Sequence, residues 1–191
     1  MKELIRLTAR TAGEILSLFE LSDEARPLAN GSLTPAEFIQ LLVKNDCYND
    51  AVKFIAHSLP KREAVWWACL AARRGLGDKP LPDLQAALHA AEQWAISPSE
   101  DKRRVARAWS EKTGQKSAAS WAATAAFWTG GSMAKPGEPE IPVPPFLYAH
   151  AVAGAVCLAA FEADPEQAVL QFKRFIRQGL DLAAGGRGDV E

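Results

Sequence analysis

The sequence lacks the features of a disulfide-bonded secreted protein and of a general nucleic-acid binder. Its three cysteines, Cys47, Cys69 and Cys157, are odd in number and none occurs in a CxxC spacing. We therefore expect buried, reduced thiols in a reducing compartment. The formal net charge is −1, whereas nucleic-acid-binding proteins usually carry an excess of basic residues. We expect no nucleic acid among the partners.

Long uncharged hydrophobic runs are also absent. The N-terminal segment MKELIRLTARTAGEILSLF contains Glu3 and Glu14, which interrupt the apolar region that a signal peptide requires. The longest apolar run, 146–161, contains His150 and is shorter than the roughly 20 residues of a membrane-spanning helix. These absences predict a cytoplasmic protein with no membrane partner.

Recognised catalytic and metal-binding motifs are missing as well. The sequence has no HExxH, GxSxG, Walker A or GxGxxG pattern and no Cys/His cluster with zinc spacing. We expect His57 at a helix end where the helix dipole favours a cation, His89 beside Glu92 on an exposed helix face, and His150 hydrogen-bonded in the core. The sequence thus predicts no enzymatic activity, no metal and no cofactor. A catalytic site assembled from distant residues stays an open alternative.

Helix-start signals are frequent and share one pattern. A capping residue, a proline, and a glutamate or glutamine three residues after the cap occur at Thr34–Glu37, Ser97–Glu100 and Asp164–Gln167, with a weaker match at Thr11–Glu14. No segment shows the apolar–polar alternation of a half-buried strand. The sequence therefore predicts an all-α fold.

The helix signals and the apolar periodicity also predict the domain organisation. Helices are expected at 11–20, 35–45, 48–58, 61–74, 82–96, 98–112, 117–128, 145–161 and 165–183, with a short turn at 22–28. Because the connections are short, sequential helices should pack as antiparallel neighbours. We predict a single helical domain over 1–191, a bundle of eight to nine antiparallel helices, with a frayed tail at 185–191. A solenoid-like arrangement is the alternative, although no fixed repeat period is found.

Two adjacent tryptophans, Trp66 and Trp67, indicate which helix is central. Neighbouring positions on a helix point about 100° apart, so the two indoles face different directions. No residue from Ala64 to Ala72 is polar, and charges occur only at the two ends of this helix. A helix that is apolar on every side is a central one. We expect helix 61–74 to be the Trp-rich centre of the bundle, with each indole packed on a different neighbour.

The segment 130–145, GGSMAKPGEPEIPVPP, is the least helical part of the chain. Its five prolines and three glycines favour an extended backbone, and its length is unusual for a loop in a compact domain. It is either a surface strap anchored by Ile141 and Val143 or a partner-facing loop. Trp128, two residues before this segment, is the tryptophan that we expect to be partly exposed for a partner.

Basic residues form the remaining candidate features. Arg73 and Arg74 suit the negative end of a helix dipole. The cluster at 102–107, with Lys102, Arg103, Arg104 and Arg107, is expected to be a solvated face, with a patch for an acidic protein as the alternative. The candidate partner-binding residues are Trp128, Gly130, Gly131, Ile141, Val143, Lys61 and Arg62.

Three segments carry a family resemblance: HSLPKREAVWWACLAAR at 57–73, AAFWTGGSMA at 125–134, and VPPFLYAHAVAGAVCLAA at 143–160 followed by FKRFIRQGLDLAAG at 172–185. Together they resemble an uncharacterised, all-helical bacterial family, a domain of unknown function whose members are often encoded near type VI secretion genes. The likeness spans residues 15 to 186, and LPKREAVWWA is its most specific part. No catalytic residues are established for that family, so none is transferred to this chain.

The resemblance implies a cytoplasmic accessory protein of a contractile injection apparatus. We expect a non-enzymatic protein-binding role, as an adaptor or chaperone-like factor that holds a secretion effector or a spike component. An immunity protein that neutralises a toxin is the first alternative, and an enzyme with a dispersed site is the second. The sequence does not indicate the oligomeric state.

Overall fold

The computed structural model describes residues 4–78, 80–162 and 164–190, and over these ranges the all-α fold is confirmed. The α-helices are α1 (Ala12–Leu16), α2 (Pro35–Lys44), α3 (Tyr48–Ser58), α4 (Lys61–Gly75), α5 (Pro82–Ile96), α6 (Glu100–Thr113), α7 (Ala118–Phe127), α8 (Leu147–Glu162) and α9 (Ala168–Ala183). Two short 3₁₀ turns, Arg26–Leu28 and Pro165–Gln167, precede α2 and α9.

The predicted helix-start devices at Thr34 and Thr11 are confirmed. The Thr34 amide donates to Glu37 Oε2 at 2.9 Å, and the Glu37 amide donates to Thr34 Oγ1 at 3.3 Å. At α1, the Thr11 amide donates to Glu14 Oε1 at 3.0 Å. These bonds satisfy main-chain donors that have no partner inside the helix.

The start of α6 differs from the prediction by two residues. The cap is Ser99 rather than Ser97, and Ser99 Oγ accepts a hydrogen bond from the Lys102 amide at 3.3 Å. The helix therefore begins at Glu100. Ser97 fits the predicted pattern and Ser99 does not, but serine is a favoured cap at either position, and the path of the backbone decides which hydroxyl reaches a free amide.

Three further boundaries differ by two or more residues because of local backbone geometry. Helix α9 begins at Ala168, three residues after the predicted start, because Pro165–Gln167 form a 3₁₀ turn, where the Glu166 amide donates to Asp164 Oδ1 at 3.0 Å.

Helix α1 ends at Leu16, four residues before the predicted end, and Ser17 Oγ donates to the carbonyl of Glu14 at 3.1 Å. Helix α8 begins at Leu147 because Phe146 has φ of 61°, a left-handed conformation that cannot be part of a right-handed helix.

Helix α4 lies at the centre of the bundle, as predicted, and packs against α5, α7, α8 and α9. Trp67 is fully buried, and its Nε1 donates to the Phe175 carbonyl of α9 at 2.8 Å. Trp66 is half-buried, and its Nε1 donates to the Arg187 carbonyl at 3.2 Å. The two indoles therefore contact different parts of the chain, which explains why this helix has adjacent tryptophans.

The alanine-rich helix α8 shares the centre with α4. It packs against α3, α4, α7 and α9. Apart from Tyr148, its buried positions carry small or β-branched side chains, of which Ala151, Val152, Ala155 and Val156 are fully buried. Small side chains allow close approach of helix backbones, so the larger aromatic residues of neighbouring helices fill the remaining space.

The C-terminal segment 185–190, which was predicted to fray, packs on α9 and α4. The Gly186 amide donates to the Asp181 carbonyl at 2.8 Å, and the Gly188 amide donates to Asp181 Oδ2 at 3.0 Å. Gly188 is buried against Leu70 and Leu182. These contacts, together with the bond from Trp66 to Arg187, were not predictable from the composition of the tail.

No single helix within the described ranges is both long enough and apolar enough to cross a bilayer. The segments Leu147–Glu162 and Pro165–Ala183 reach that length and composition only as a pair, and a bend of 117° separates them.

The close approach of α9 to α3 and α4 makes Gly179 a sensitive position. A Cβ added there would lie 2.9 Å from Ile55 Cγ2 and 3.1 Å from the Trp67 ring. We expect Gly179→Ala to lower the free energy of unfolding by about 1–2 kcal/mol, because the strain exceeds the gain in helix propensity. The control is Gly154→Ala in α8, where the nearest atom is the Trp121 ring at 3.7 Å. This variant should be neutral or more stable by up to about 1 kcal/mol. Denaturant unfolding measures both, and equal effects would contradict the packing described.

Candidate functional site

The candidate site is centred on the segment between α7 and α8, residues 130–145, which we call the proline loop. Its two arms run antiparallel: the Met133 amide donates to the Ile141 carbonyl at 2.7 Å, and the Val143 amide donates to the Gly131 carbonyl at 3.3 Å. Ser132 Oγ accepts a further bond from the Ile141 amide at 3.0 Å. The loop therefore folds back on itself, rather than running as one extended strap.

The tip of the proline loop, residues 135–140, is exposed and has its own turn. The Glu138 amide donates to the Lys135 carbonyl at 3.1 Å, and the Lys135 amide donates to Glu138 Oε2 at 3.0 Å. Gly137 has φ of 88°, a conformation that glycine adopts without strain. The turn is thus held by local bonds without packing on the bundle.

One buried arginine of α6 holds the base of the proline loop. Arg103 is only 3% exposed. Its Nη1 donates to the Phe127 carbonyl at 2.8 Å and its Nη2 donates to the Ser132 carbonyl at 3.1 Å. Its Nε and Nη2 also donate to the two carboxylate oxygens of Glu100 at 2.6 and 2.7 Å. The bonds to Arg103 and then Arg104 lower the pKa of Glu100 to about 2, so the ion pair persists at any ordinary pH.

Two further arginines extend this anchor along the loop. Arg104 Nη1 donates to the Ala134 carbonyl at 2.5 Å, and Arg107 Nη1 donates to the Met133 carbonyl at 2.8 Å. The guanidinium groups of Arg103 and Arg107 also lie 4.7 and 5.0 Å from the centroid of the Phe127 ring, within the range of cation–π contacts. Three arginines therefore bind main-chain carbonyls over most of one arm.

The prediction that this basic cluster is a solvated face is wrong. Arg103 is buried and Arg104 and Arg107 are half-buried. The expected anchors were apolar, but Ile141 is 53% exposed and Val143 is only half-buried.

The sequence contained a signal that could have indicated arginines as the anchors of the loop. A loop without helix or strand has many carbonyls that need donors, and Arg107 is four residues after Arg103 and three after Arg104, the spacings that bring side chains together on a helix.

Gly131 is required by the arginine anchor. It has φ of 66°, and a Cβ added there would lie 2.8 Å from Arg103 Nη2. The glycine was predicted as a partner-binding residue. Its contact with Arg103 gives it a structural role that sequence reasoning missed.

Most of the predicted partner-binding residues gather at this end of the bundle. Lys61 Nζ donates to the Thr129 carbonyl at 2.5 Å, which ties the start of α4 to the entry of the loop. Trp128 is half-buried and packs edge-to-face on Trp121, with ring centroids 6.1 Å apart. The structure thus brings together Trp128, Gly130, Gly131, Ile141, Val143 and Lys61.

Arg62 is the predicted residue that faces elsewhere. Its Nε donates to the Ala95 carbonyl at the end of α5, at 2.7 Å. It lines a cavity of about 380 Å³ with Arg6, Trp66 and Arg187. The adjacent positions of Lys61 and Arg62 on a helix explain why their side chains diverge.

His57 lies in the core, contrary to the prediction of a cation at a helix end. It is fully buried, stacks on Phe19 with ring centroids 5.0 Å apart, and meets His150 edge-on at 4.7 Å. Its Nδ1 lies 2.8 Å from the Lys53 carbonyl, so Nδ1 carries the proton, while Nε2 has no partner among the described residues. Burial, with the charges of His150 and Lys53 acting in the same direction, lowers the pKa of His57 to about 4. The expectation of a cation favoured by the helix dipole is therefore wrong, because burial dominates.

His150 also differs from expectation, and His89 differs only in the environment of its expected neighbour, Glu92. His150 is exposed, although it was predicted in the core. His89 is exposed as predicted, but Glu92 is buried and pairs with Arg73, whose Nε donates to Glu92 Oε1 at 3.0 Å. Arg73 thus has a specific acceptor beyond the helix dipole.

The cysteines are all free, but only Cys69 is fully buried. Burial raises the pKa of the Cys69 thiol, and raises that of half-buried Cys157 to about 12. Burial and the charge of Asp50 raise the pKa of Cys47. Thiolates, which are the reactive form, are therefore disfavoured at neutral pH. Within the described part of the chain, no three His, Cys, Asp or Glu side chains are grouped to hold a metal ion.

Removing the buried arginine should release the proline loop. Arg103→Ala leaves loop carbonyls without donors, and we expect a loss of about 2–4 kcal/mol in the free energy of unfolding. A protease specific for glutamate should also cleave faster after the exposed Glu140. Lys102→Ala on the same helix is the control. Unchanged stability and cleavage in the Arg103 variant would show that the loop is held by other contacts.

The pKa of His57 predicts a loss of stability in acid. The unfolded chain takes up its proton near the ordinary pKa of 6.5, whereas the folded chain does so only at about 4. The free energy of unfolding should therefore fall as the pH drops from 6.5 to 4, by up to about 3 kcal/mol. His57→Asn, which retains a donor for the Lys53 carbonyl, should lose this part of the pH dependence. His89→Asn keeps His57 and should retain it. Urea unfolding across this pH range measures the difference, and parallel profiles for His57→Asn and the wild type would refute the assignment.

Comparison with protein families matches residues 38–183 to a family of unknown function, DUF6931. The matched range begins in α2 and ends with α9, so it includes α4, the arginines of α6 and the whole proline loop. Comparisons with curated proteins and with solved structures give no match. Because the family model covers well over half of its length, the chain belongs to the DUF6931 family of unknown function.

Proposed function

We propose that this protein is a non-enzymatic, protein-binding accessory of bacterial type VI secretion. In this role it acts in the cytoplasm as an adaptor or chaperone-like factor and holds an effector or a spike component before loading. The observation that carries the proposal is the proline loop, an exposed segment whose backbone is held by Arg103, Arg104 and Arg107.

A loop that is already ordered is suited to binding a protein. Ordering a flexible loop on association costs free energy, and a preformed loop avoids that cost. The arginines hold the base of this loop through its main chain, and Ile141 stays 53% exposed on the outer arm. Trp128, which lies two residues before the loop, is half-buried, and tryptophan is enriched among the residues that carry most of the binding energy of protein interfaces.

The secretion setting is supported by the family resemblance. The segments 57–73 and 125–134 resemble a family whose members are often encoded near type VI secretion genes. The second of these segments contains Trp128 and the first arm of the proline loop. The part of the chain that carries the resemblance therefore overlaps the surface that we propose for the partner.

Ile141→Ser should weaken partner binding without affecting the fold. We expect a loss of at least about tenfold in affinity, and a change of less than about 0.5 kcal/mol in the free energy of unfolding because the side chain is exposed. Leu81→Ser removes another exposed aliphatic side chain, which is 68% exposed just before α5, and should leave affinity unchanged. The partner is first isolated by tagged purification from the native cells, identified by mass spectrometry, and titrated as a purified protein. Full affinity in the Ile141 variant would refute the proposed surface.

Deletion of the gene distinguishes the adaptor from the immunity alternative. Cells that lack an adaptor fail to kill competitors, whereas cells that lack an immunity protein are killed by their siblings. Recovery of a spike or effector protein together with the first phenotype supports the proposal. Recovery of a lone toxin with the second phenotype overturns it in favour of immunity.

A further inference from the structure

A groove lies between α2 and α9, on a side of the bundle that the proline loop does not form. Both helices pack against α3, and the space between them is a groove of about 570 Å³ that is open to solvent. Its lining residues belong only to these two helices.

The floor of the groove is aliphatic. Ile39 and Ile176 form its deepest part and are only 1% and 3% exposed. Val43 and Leu180 are half-buried on its walls, and Leu170 at one end is 56% exposed. Covering this exposed apolar surface with a partner is favourable in free energy, by about 25 cal/mol for each Å² removed from water.

The rim of the groove carries charge of one sign. Its charged lining residues are Lys44, Lys173 and Arg177, and no acidic residue lines it among those described. The chain as a whole has a formal net charge of −1, so this is a local excess of positive charge. Lys173 also lies over the Tyr48 ring, 5.7 Å from its centroid, which restrains its position near the wall.

The dimensions of the groove suit a helix. Leu170 and Leu180 are ten residues apart on α9, a distance of about 15 Å or three helical turns. An amphipathic helix of that length would place apolar side chains at i, i+3 or i+4, and i+7 on the aliphatic floor. Acidic residues beside this stripe would then face Lys44, Lys173 and Arg177.

We propose that the groove between α2 and α9 binds an acidic amphipathic helix of a protein partner. A lipid surface is a poorer match, because its acyl chains receive protruding side chains, whereas Ile39 and Ile176 lie at the bottom of a concavity. The uniform positive rim favours an acidic occupant through charge complementarity. Since the groove and the proline loop share no residues, this proposal does not depend on the proposed function.

The test uses synthetic helical peptides and the full chain. One peptide of about 14 residues presents leucines at helical spacing with glutamates on both flanks. A second has the same leucines with each glutamate replaced by lysine. By fluorescence anisotropy the acidic peptide should bind at least about tenfold more tightly than the lysine peptide. Its affinity should fall when the ionic strength rises from about 0.05 M to about 0.3 M.

Charge reversal in the groove should reverse this preference. The double variant Lys173→Glu, Arg177→Glu should bind the lysine peptide more tightly than the acidic one. The matched control, Arg10→Glu with Lys116→Glu, makes the same change of charge on exposed residues outside both the groove and the proline loop and should behave as the wild type. Thermal melts followed by circular dichroism establish that all variants are folded.

Several outcomes would overturn the proposal. Equal affinity for the two peptides, no binding of the acidic one, or a preference that survives charge reversal would each do so. A wild-type dimer in sedimentation that the double variant dissociates would make the groove an interface between copies of this chain. Binding to vesicles containing phosphatidylserine, without binding to the acidic peptide, would make it a lipid site.

Discussion

A guanidinium group can be buried only where hydrogen-bond acceptors surround it, and this constraint on Arg103 determines the shape of the candidate site. A desolvated charge without partners costs several kcal/mol. Arg103 finds its acceptors in the Glu100 carboxylate and in the carbonyls of Phe127 and Ser132. The end of α7 and the first arm of the proline loop must therefore stay close to α6. Arg103 in turn supplies donors that the loop lacks, because the irregular backbone of the loop has few internal donors for its carbonyls.

The helices were largely predictable because their signals are local. The capping hydrogen bonds at Thr11 and Thr34 join residues three apart in sequence. The central position of α4 follows from the apolar residues on all sides of that helix. The roles of Arg103 and His57 were not predictable in the same way. Burial by other segments reverses the expected state of each. Arg103 is buried and donates to the end of α7, 24 residues away, and to the proline loop, 29 residues away. His57 is stacked on Phe19 from the N-terminal segment, and it stays neutral where a dipole argument predicts a cation.

The structure gathers most of the predicted partner-binding residues at one end of the bundle, but on a physical basis that differs from the expected one. Trp128, Gly131 and Ile141 do lie together, because a short distance along the chain keeps them close. The expected apolar anchoring was wrong, since Ile141 faces solvent. The groove between α2 and α9 had no sequence signal at all. Its two walls are separated by more than a hundred residues, and only packing on α3 places them side by side.

The two proposed surfaces differ in how a partner would be recognised. At the groove, Lys173, Arg177 and the aliphatic floor act through their side chains, so a substitution there alters recognition directly. At the proline loop, Arg104 and Arg107 bind the carbonyls of Ala134 and Met133, and a carbonyl is present whatever the side chain. Side chains at the exposed tip can therefore be exchanged without loss of the anchor. In evolutionary terms, the loop is a site where specificity can diverge between related proteins while the bundle beneath it stays the same.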